Sequence, residues 1–355
     1  MTKIRIPVNK LKSFAKEVLL KAGTRKDVAE YVAEGLAQTS LRGVDSHGIR
    51  LFPHYLEGVK KGRINPKPKY KFKKTSATTG LFDADHTFGH AAGMEAAKKA
   101  VKLASEAGTG HIAIYNSSHF GAAAYYALEI AKHDMIGMSF TNTDALVKTY
   151  AGKRSFLGNN PICFAAPCKD EEPFCLDMAT SIVTFNKIKQ LCAEGKEAPP
   201  GVGTDKEGME TTKSFDISML LPMGTYKGYG LSMVIEILCS LLTGAPYGPH
   251  IPKMFERPMN EKRYLGHFII AINIGCFQKI NVFKERLSCM MNELRSEPRL
   301  NAEIPIQIAG DPEKNAARKR TIEGIPVDQE EYERFKKIAN EYKIVIDFDK
   351  KGDRH

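Results

Sequence analysis

The chain has 355 residues, 43% apolar and 26% charged, with a formal net charge of +11. At ~100–200 residues per domain it fits one large or two ordinary domains, and the composition is that of a globular chain able to bury a core. No stretch approaches the ~18 uncharged apolar residues of a membrane span, and the basic clusters Lys60–Arg63, Lys67–Lys74 and Arg318–Arg320 come without a nucleic-acid motif. The expectation is a solvated basic surface that attracts anionic metabolites, with neither a membrane nor a nucleic acid as partner. Met1–Ile6 holds no hydrophobic signal core, which makes the cytosol the expected location. Seven scattered cysteines with no Cys-x-x-Cys pair read as reduced, buried small hydrophobes.

Taken in order, Val8–Ala22 is an amphipathic helix with Leu11, Phe14, Ala15, Val18 and Leu19 on one stripe. Thr24 is placed to cap a second helix, from Arg25 to about Leu41, which Gly43 terminates. The stretch Gly43-Val44-Asp45-Ser46-His47-Gly48-Ile49-Arg50 follows, and a short helix then runs from Phe52 to Val59 with Tyr55 inward. Pro66–Asp85 reads as strands or a basic loop. From there helices at Ala91–Ala107 and Ala122–Lys132 alternate with strands at His111–Tyr115 and Met135–Thr141. This alternation argues for an α/β sheet, with polar residues at strand ends where such folds place ligands.

Two further strands, Ile162–Pro167 and Phe174–Ser181, precede a helix reaching Glu194 and a turn-rich surface loop, Pro199–Thr212. The apolar helix Leu231–Leu242 is expected to be central. After it come a strand at Gly266–Ile272, a helix at Val282–Arg295, a short strand at Ile304–Ala309 and helices at Pro312–Ile322 and Gln329–Tyr342, then a charged tail. The expected organisation is an N-terminal helical segment (1–65), a central α/β cofactor-binding domain (66–300) and C-terminal helices (301–355) packing back on the N-terminal segment.

Three clusters carry chemistry: Asp45/Ser46/His47/Arg50, Asn116/Ser118/His119 and Tyr226/Lys227/Gly228. Imidazole is the natural general acid or base for interconverting a hydroxyl and a carbonyl, and an arginine offers a carboxylate a bidentate fork. A lysine at a helix start can take a phosphate. Each cluster also has a plainer reading: Asp45, Ser46 and Ser118 as helix caps, Lys227 as an exposed turn lysine. The glycines near Lys227 match neither the Rossmann nor the P-loop fingerprint. His54, His86, His90, His133 and His250 read as structural or surface residues, and no His/Asp/Glu spacing argues for a metal.

Six segments occur in a telling order: Gly43–Gly48, Asn116–Gly121, Leu157–Pro161, Leu176–Ser181, Tyr226–Gly230 and Gly244–His250. Together they resemble the malate/L-lactate dehydrogenase family of NAD(P)-dependent oxidoreductases, which is unrelated to the Rossmann-type enzymes and also includes sulfolactate and ureidoglycolate dehydrogenases and cyclic imino acid reductases. The resemblance implies a homodimer and a non-Rossmann nicotinamide-binding sheet domain flanked by N-terminal and C-terminal helices. By position it assigns His47 and His119 as the active-site histidines and places Ser46, Thr143 and Asp144 around the substrate. Asp177, Met178, Ala179, Lys227, Gly228, Gly310, Asp311 and Glu313 match cofactor-contacting segments. Many members carry arginine four residues after the first histidine; here that position is Leu51, and Arg50 precedes it. Arg50 is therefore the candidate carboxylate contact.

The resulting expectation is an oxidoreductase that interconverts a small 2-hydroxy acid and its 2-oxo acid, with malate first and L-lactate second, NAD favoured over NADP, and histidine as acid/base. Sulfolactate, ureidoglycolate or a cyclic imino acid are alternative substrates on the same fold. A nucleotide- or nucleic-acid-binding protein without turnover is the non-enzymatic alternative.

Overall fold

A computed structural model describes residues 4–346 and 348. Met1–Lys3, and residues 347 and 349–355 of the expected charged tail, lie outside the described residues. Three helices open the chain: α1 (Val8–Lys21), α2 (Lys26–Leu41) and α3 (Phe52–Lys61). α1 buries Leu11, Phe14, Ala15, Val18 and Leu19, the stripe its 3.6-residue period dictates. Thr24 does not cap α2, because its hydroxyl is buried without a partner. Arg25 precedes the helix instead and clamps Asp27 of the first turn at 2.6 and 2.8 Å.

The central sheet has seven strands: β1 (Lys71–Lys74), β2 (Thr79–Asp83), β3 (Thr109–Ser117), β4 (Met135–Thr141), β5 (Ile162–Ala166), β6 (Phe174–Met178) and β7 (Leu265–Asn273). Their spatial order is β1-β2-β3-β7-β4-β5-β6, and β2–β3 is the parallel pair; the other neighbours run antiparallel. The late strand β7 inserts between β3 and β4 and carries six buried or half-buried apolar residues across both faces, as a strand covered on both sides must. Period-2 alternation sorts the faces: Ile112, Ile114 and Ile269 pack against α4 (Gly89–Ala107) and α5 (Ala124–Ala131), while Ala113 and Phe268 turn to the other side. β1 closes one edge with exposed lysines, a common guard against edge-to-edge pairing.

A small four-stranded sheet is built from Val147–Lys148 and Ser155–Leu157 before α6 (Phe185–Ala193) and Gly203–Thr204 and Met219–Leu220 after it, of which Gly203–Thr204 lies inside the segment expected to be a loop. α7 (Tyr226–Cys239) covers the second face of the large sheet with Leu231, Ile235, Leu238 and Cys239. It is not enclosed as expected: Met233, Val234 and Ile237 are exposed, as are Leu241 and Leu242 just beyond it. α8 (Ile280–Ser296) follows β7. The strand expected at Ile304–Ala309 is absent. The stretch runs as irregular chain and pairs with no strand, although β6 ends the sheet with an open outer edge.

The chain ends with α9 (Asp311–Glu323) and α10 (Gln329–Glu341), the latter started by an Asp328/Glu331 capping box. Ile325–Val327 pairs antiparallel with Ile4–Ile6, and Phe14 meets Phe52, Phe335 and Phe348 at 5.6 Å each. At about 0.5–1.5 kcal/mol per aromatic pair beyond area burial, this cluster welds the two chain ends together. No described helix is long and apolar enough to cross a membrane. All seven cysteines are free, but only Cys163, Cys175 and Cys239 are buried; Cys192, Cys276 and Cys289 are exposed, contrary to the apolar reading of their contexts.

Candidate active site

A cavity of about 1010 Å³ runs along the ends of β4, β5 and β6, walled by the 44–51 segment, the turn before α5 and the stretch before α9. Among the residues singled out in the sequence, Ser46, His47, His119, Thr143, Asp144, Asp177, Met178, Ala179, Gly310 and Glu313 line it. Arg50, Lys227, Gly228 and Asp311 do not.

At one end the two histidines face each other with ring centroids 5.5 Å apart and planes 21° from parallel. His47 arrives on a single 3-10 turn, Asp45–His47. Asp45 does not cap a helix; it takes Arg320 of α9 in a two-pronged ion pair at 2.5 and 2.9 Å, which pins the turn. Ser46 Oγ lies 2.8 Å from His47 Nδ1. His119 sits in the turn between β3 and α5, and its Nδ1 is 2.5 Å from the Tyr55 hydroxyl of α3. With each Nδ1 engaged, the imidazoles are left to present Nε2.

Burial holds the pKa of His47 below the ordinary imidazole value. Burial, then the neighbouring His47, His90, Arg263 and His54, hold that of His119 well below it. Both rings are therefore neutral at pH 7, able to accept a proton. Burial raises the Tyr55 pKa, so its phenol stays protonated.

His267 braces this end from below. It is fully buried at the start of β7, with Nδ1 2.7 Å from Thr141 Oγ1 and Nε2 2.8 Å from Ser117 Oγ. It thereby ties together the two strands whose ends carry His119 and Thr143, and it stacks on Phe120 at 4.1 Å. Beyond β4, the Thr143 hydroxyl donates to Asn159 Oδ1 at 2.9 Å and its backbone N–H donates to Asn160 Oδ1 at 3.1 Å. Asp144 is held by Arg263 and by the Met254 N–H at 2.7 Å.

At the other end, one Asp177 carboxylate oxygen accepts the Ala124 N–H at the start of α5 at 2.9 Å, while the side chain remains open to the cavity. The surrounding protein wall, partly offset by that N–H, pushes its pKa up to about 6. Gly310, with φ +96°, brings the chain against β6; a Cβ there would lie 3.0 Å from the Cys175 carbonyl.

The residues left outside have physical reasons to be there. Arg50 turns outward to Glu331 at 2.8 Å and Asp328 at 3.4 Å, and Leu51, one step of about 100° further round, takes the cavity wall. Lys227 does lie in the first turn of α7 but is exposed. Gly228 is required by packing, since a Cβ would come 2.0 Å from the Met223 carbonyl. Asp311 caps Ile308 N–H at 3.0 Å and pairs with Arg295 at 2.6 and 3.0 Å. Tyr55 was legible only as an inward residue of α3. Arg263 and His267 were missed, their one signal being polar groups at the threshold of an otherwise apolar strand.

Compared with known proteins, residues 6–336 match the family described as malate/L-lactate dehydrogenase. The chain belongs to this family. It is 37% identical to a malate dehydrogenase of Pyrococcus abyssi over 95% of this chain and 94% of the relative. It is 36% identical to an L-sulfolactate dehydrogenase of Methanocaldococcus jannaschii over 93% and 95%. The crystal structure of malate dehydrogenase from Entamoeba histolytica superposes with a TM-score of 0.92 at 31% identity, covering 98% of this chain and all of that one.

Malate/L-lactate dehydrogenase family members are nicotinamide-dependent 2-hydroxy acid dehydrogenases, and the cavity fits such a cofactor. Its volume lies at the upper end of the ~300–1,000 Å³ typical of small-molecule sites, which leaves room for more than a small acid. The run Gly121-Ala122-Ala123-Ala124 keeps one wall thin, and the open Asp177 carboxylate supplies an acceptor for hydroxyl groups.

Proposed function

We propose that this protein interconverts a small 2-hydroxy acid and its 2-oxo acid, with malate and oxaloacetate first, using NAD in preference to NADP and histidine as acid/base. The observation that carries the reading is the stacked His47–His119 pair, with both Nδ1 atoms engaged and both rings neutral, at one end of a cavity large enough for a dinucleotide. Asp177, Met178, Ala179, Gly310 and Glu313 would hold the cofactor at the other end. A bound nicotinamide supplies or accepts the hydride. In the oxidative direction His119 Nε2 takes the substrate's hydroxyl proton, with its Nδ1–H directed to the Tyr55 oxygen. In reduction the protonated ring returns that proton to the developing alkoxide. His47, held by Ser46, lines the opposite side of the reacting carbon.

One observation favours L-lactate as the second reading: Leu51, rather than a cation, lines the wall where a second carboxylate would need a partner. The test is a nicotinamide absorbance assay with oxaloacetate, pyruvate, sulfopyruvate and cyclic imines, plus ureidoglycolate in the oxidative direction, each with both cofactors. Highest kcat/KM with oxaloacetate and NADH supports the first reading; a preference for pyruvate moves the assignment to lactate.

The protein is further proposed to work as a homodimer. Met233, Val234, Ile237, Leu241 and Leu242 form an exposed apolar face on and after α7, the kind of patch a second copy covers. Ile237→Glu should convert a dimer to a monomer in sedimentation analysis; a wild type that sediments as a monomer would contradict this.

A further inference from the structure

Arg263 is 3% exposed and lines the cavity two residues before β7. The chain leaves that position through Tyr264 at φ +52°, a left-handed conformation rarely adopted by a bulky residue. One nitrogen of the guanidinium, Nη2, meets Asp144, while Nε and Nη1 are buried with no hydrogen-bond partner. The second buried arginine nearby, Arg63, shows what a satisfied guanidinium looks like in this fold. Its nitrogens donate to the carbonyls of Glu261, Met254, Arg257 and Pro258 at 2.7–3.1 Å.

Charge is unbalanced in the same way. Two buried guanidinium groups stand here with Asp144 as the one carboxylate ion-paired to either among the described residues, Glu261 acting on Arg63 without pairing, and the histidines around them are neutral. Buried donors that find neither protein nor solvent are rare and costly, and a buried cation needs an anion. Resting on the 2-oxo acid reading above, we propose that Arg263 receives one oxygen of the substrate's carboxylate through Nη1. Asp144 is then the residue that positions Arg263, not a substrate contact. Nη1 is the outer nitrogen that Asp144 leaves free, and Arg263 lines the same cavity as His119, on whose imidazole its charge acts.

The test compares wild type, Arg263→Gln and Arg263→Lys in two measurements: calorimetric binding of oxamate to the NADH-loaded protein, and kcat/KM for pyruvate against its uncharged methyl ester. Arg263→Gln is expected to weaken oxamate about 10–100-fold, leave the NADH dissociation constant within about twofold, and abolish the preference for the acid over the ester; Arg263→Lys recovers part of both. Should Arg263→Gln fail to fold, the lysine variant alone carries the comparison, with an intermediate loss of oxamate affinity and acid preference expected. Unchanged oxamate affinity and acid preference in either folded variant would overturn the proposal. A wild type that binds oxamate through Arg263 yet reduces no 2-oxo acid would leave the carboxylate site standing and remove the functional reading instead.

Discussion

The two ends of the cavity solve opposite electrostatic problems. At the histidine end, burial keeps His47 neutral, and burial together with Arg263 and the neighbouring histidines keeps His119 neutral. At the far end, burial works on an acid, and Asp177 is pushed up to about 6. The same physical cause, protein surroundings that disfavour the charged form, thus prepares a proton acceptor at one end and leaves a weakened carboxylate, still open to the cavity, at the other. The division of labour between moving a proton and holding a cofactor follows from which residue type each strand end supplies.

Substitutions should respect that division. The largest effect is expected from His119→Ala, with kcat lower by about two to four orders of magnitude and the NADH dissociation constant unchanged in a fluorescence titration. An equal loss in cofactor affinity would erase the distinction between the ends. Acid should also strike the histidine end first. His90 and His267 are fully buried with pKa values lowered to about 3, so they stay neutral in the fold while the unfolded chain takes up protons near 6.5. The stability this confers is fully present above pH 6.5 and is lost as the pH falls towards 3, by about 2 kcal/mol for each residue at pH 5. Urea unfolding at pH 7 and pH 5 measures the difference; a flat profile would contradict it.

Asp177→Asn reverses the pattern, with NADH affinity falling about 10–100-fold and kcat at saturation little changed. In the wild type, NADH affinity should weaken as the pH drops through about 6, where the carboxylate gains its proton, and the asparagine variant should lose that dependence. Tyr55→Phe removes the hydroxyl at His119 Nδ1 while keeping the ring in its packing, so a fall of about tenfold in kcat is expected, as for a lost hydrogen bond of ~1 kcal/mol or somewhat more. Arg50→Ala is the smallest. It breaks half-exposed ion pairs to α10 and should cost about 1 kcal/mol or less in unfolding experiments, with KM for oxaloacetate unchanged.

Local pattern made much of this legible. The periodicity of α1 and the apolar run of β4 placed both elements within a residue of their observed ends, and the paired histidines stood out as chemistry without a core role. Long-range pairing was not legible. Nothing in Gly266–Ile272 indicates that it slots between β3 and β4, and so nothing indicated that Arg263 and His267 would arrive beneath His119. The Arg50–Leu51 order was visible, but which of the two faces the cavity depends on how the 3-10 turns dock against α10. Ile304–Ala309 had strand-like composition yet adds no strand to the open edge of β6, a choice that its composition does not reveal.

The central claim is that the His119 imidazole itself moves the substrate's proton while the cofactor is held elsewhere. Chemical rescue tests it most directly: His119→Ala, saturated with NADH and oxaloacetate, assayed with and without added imidazole. Imidazole is expected to restore turnover by about tenfold or more with no change in the NADH dissociation constant. Turnover that is indifferent to imidazole, in a folded variant that still binds NADH, would contradict it.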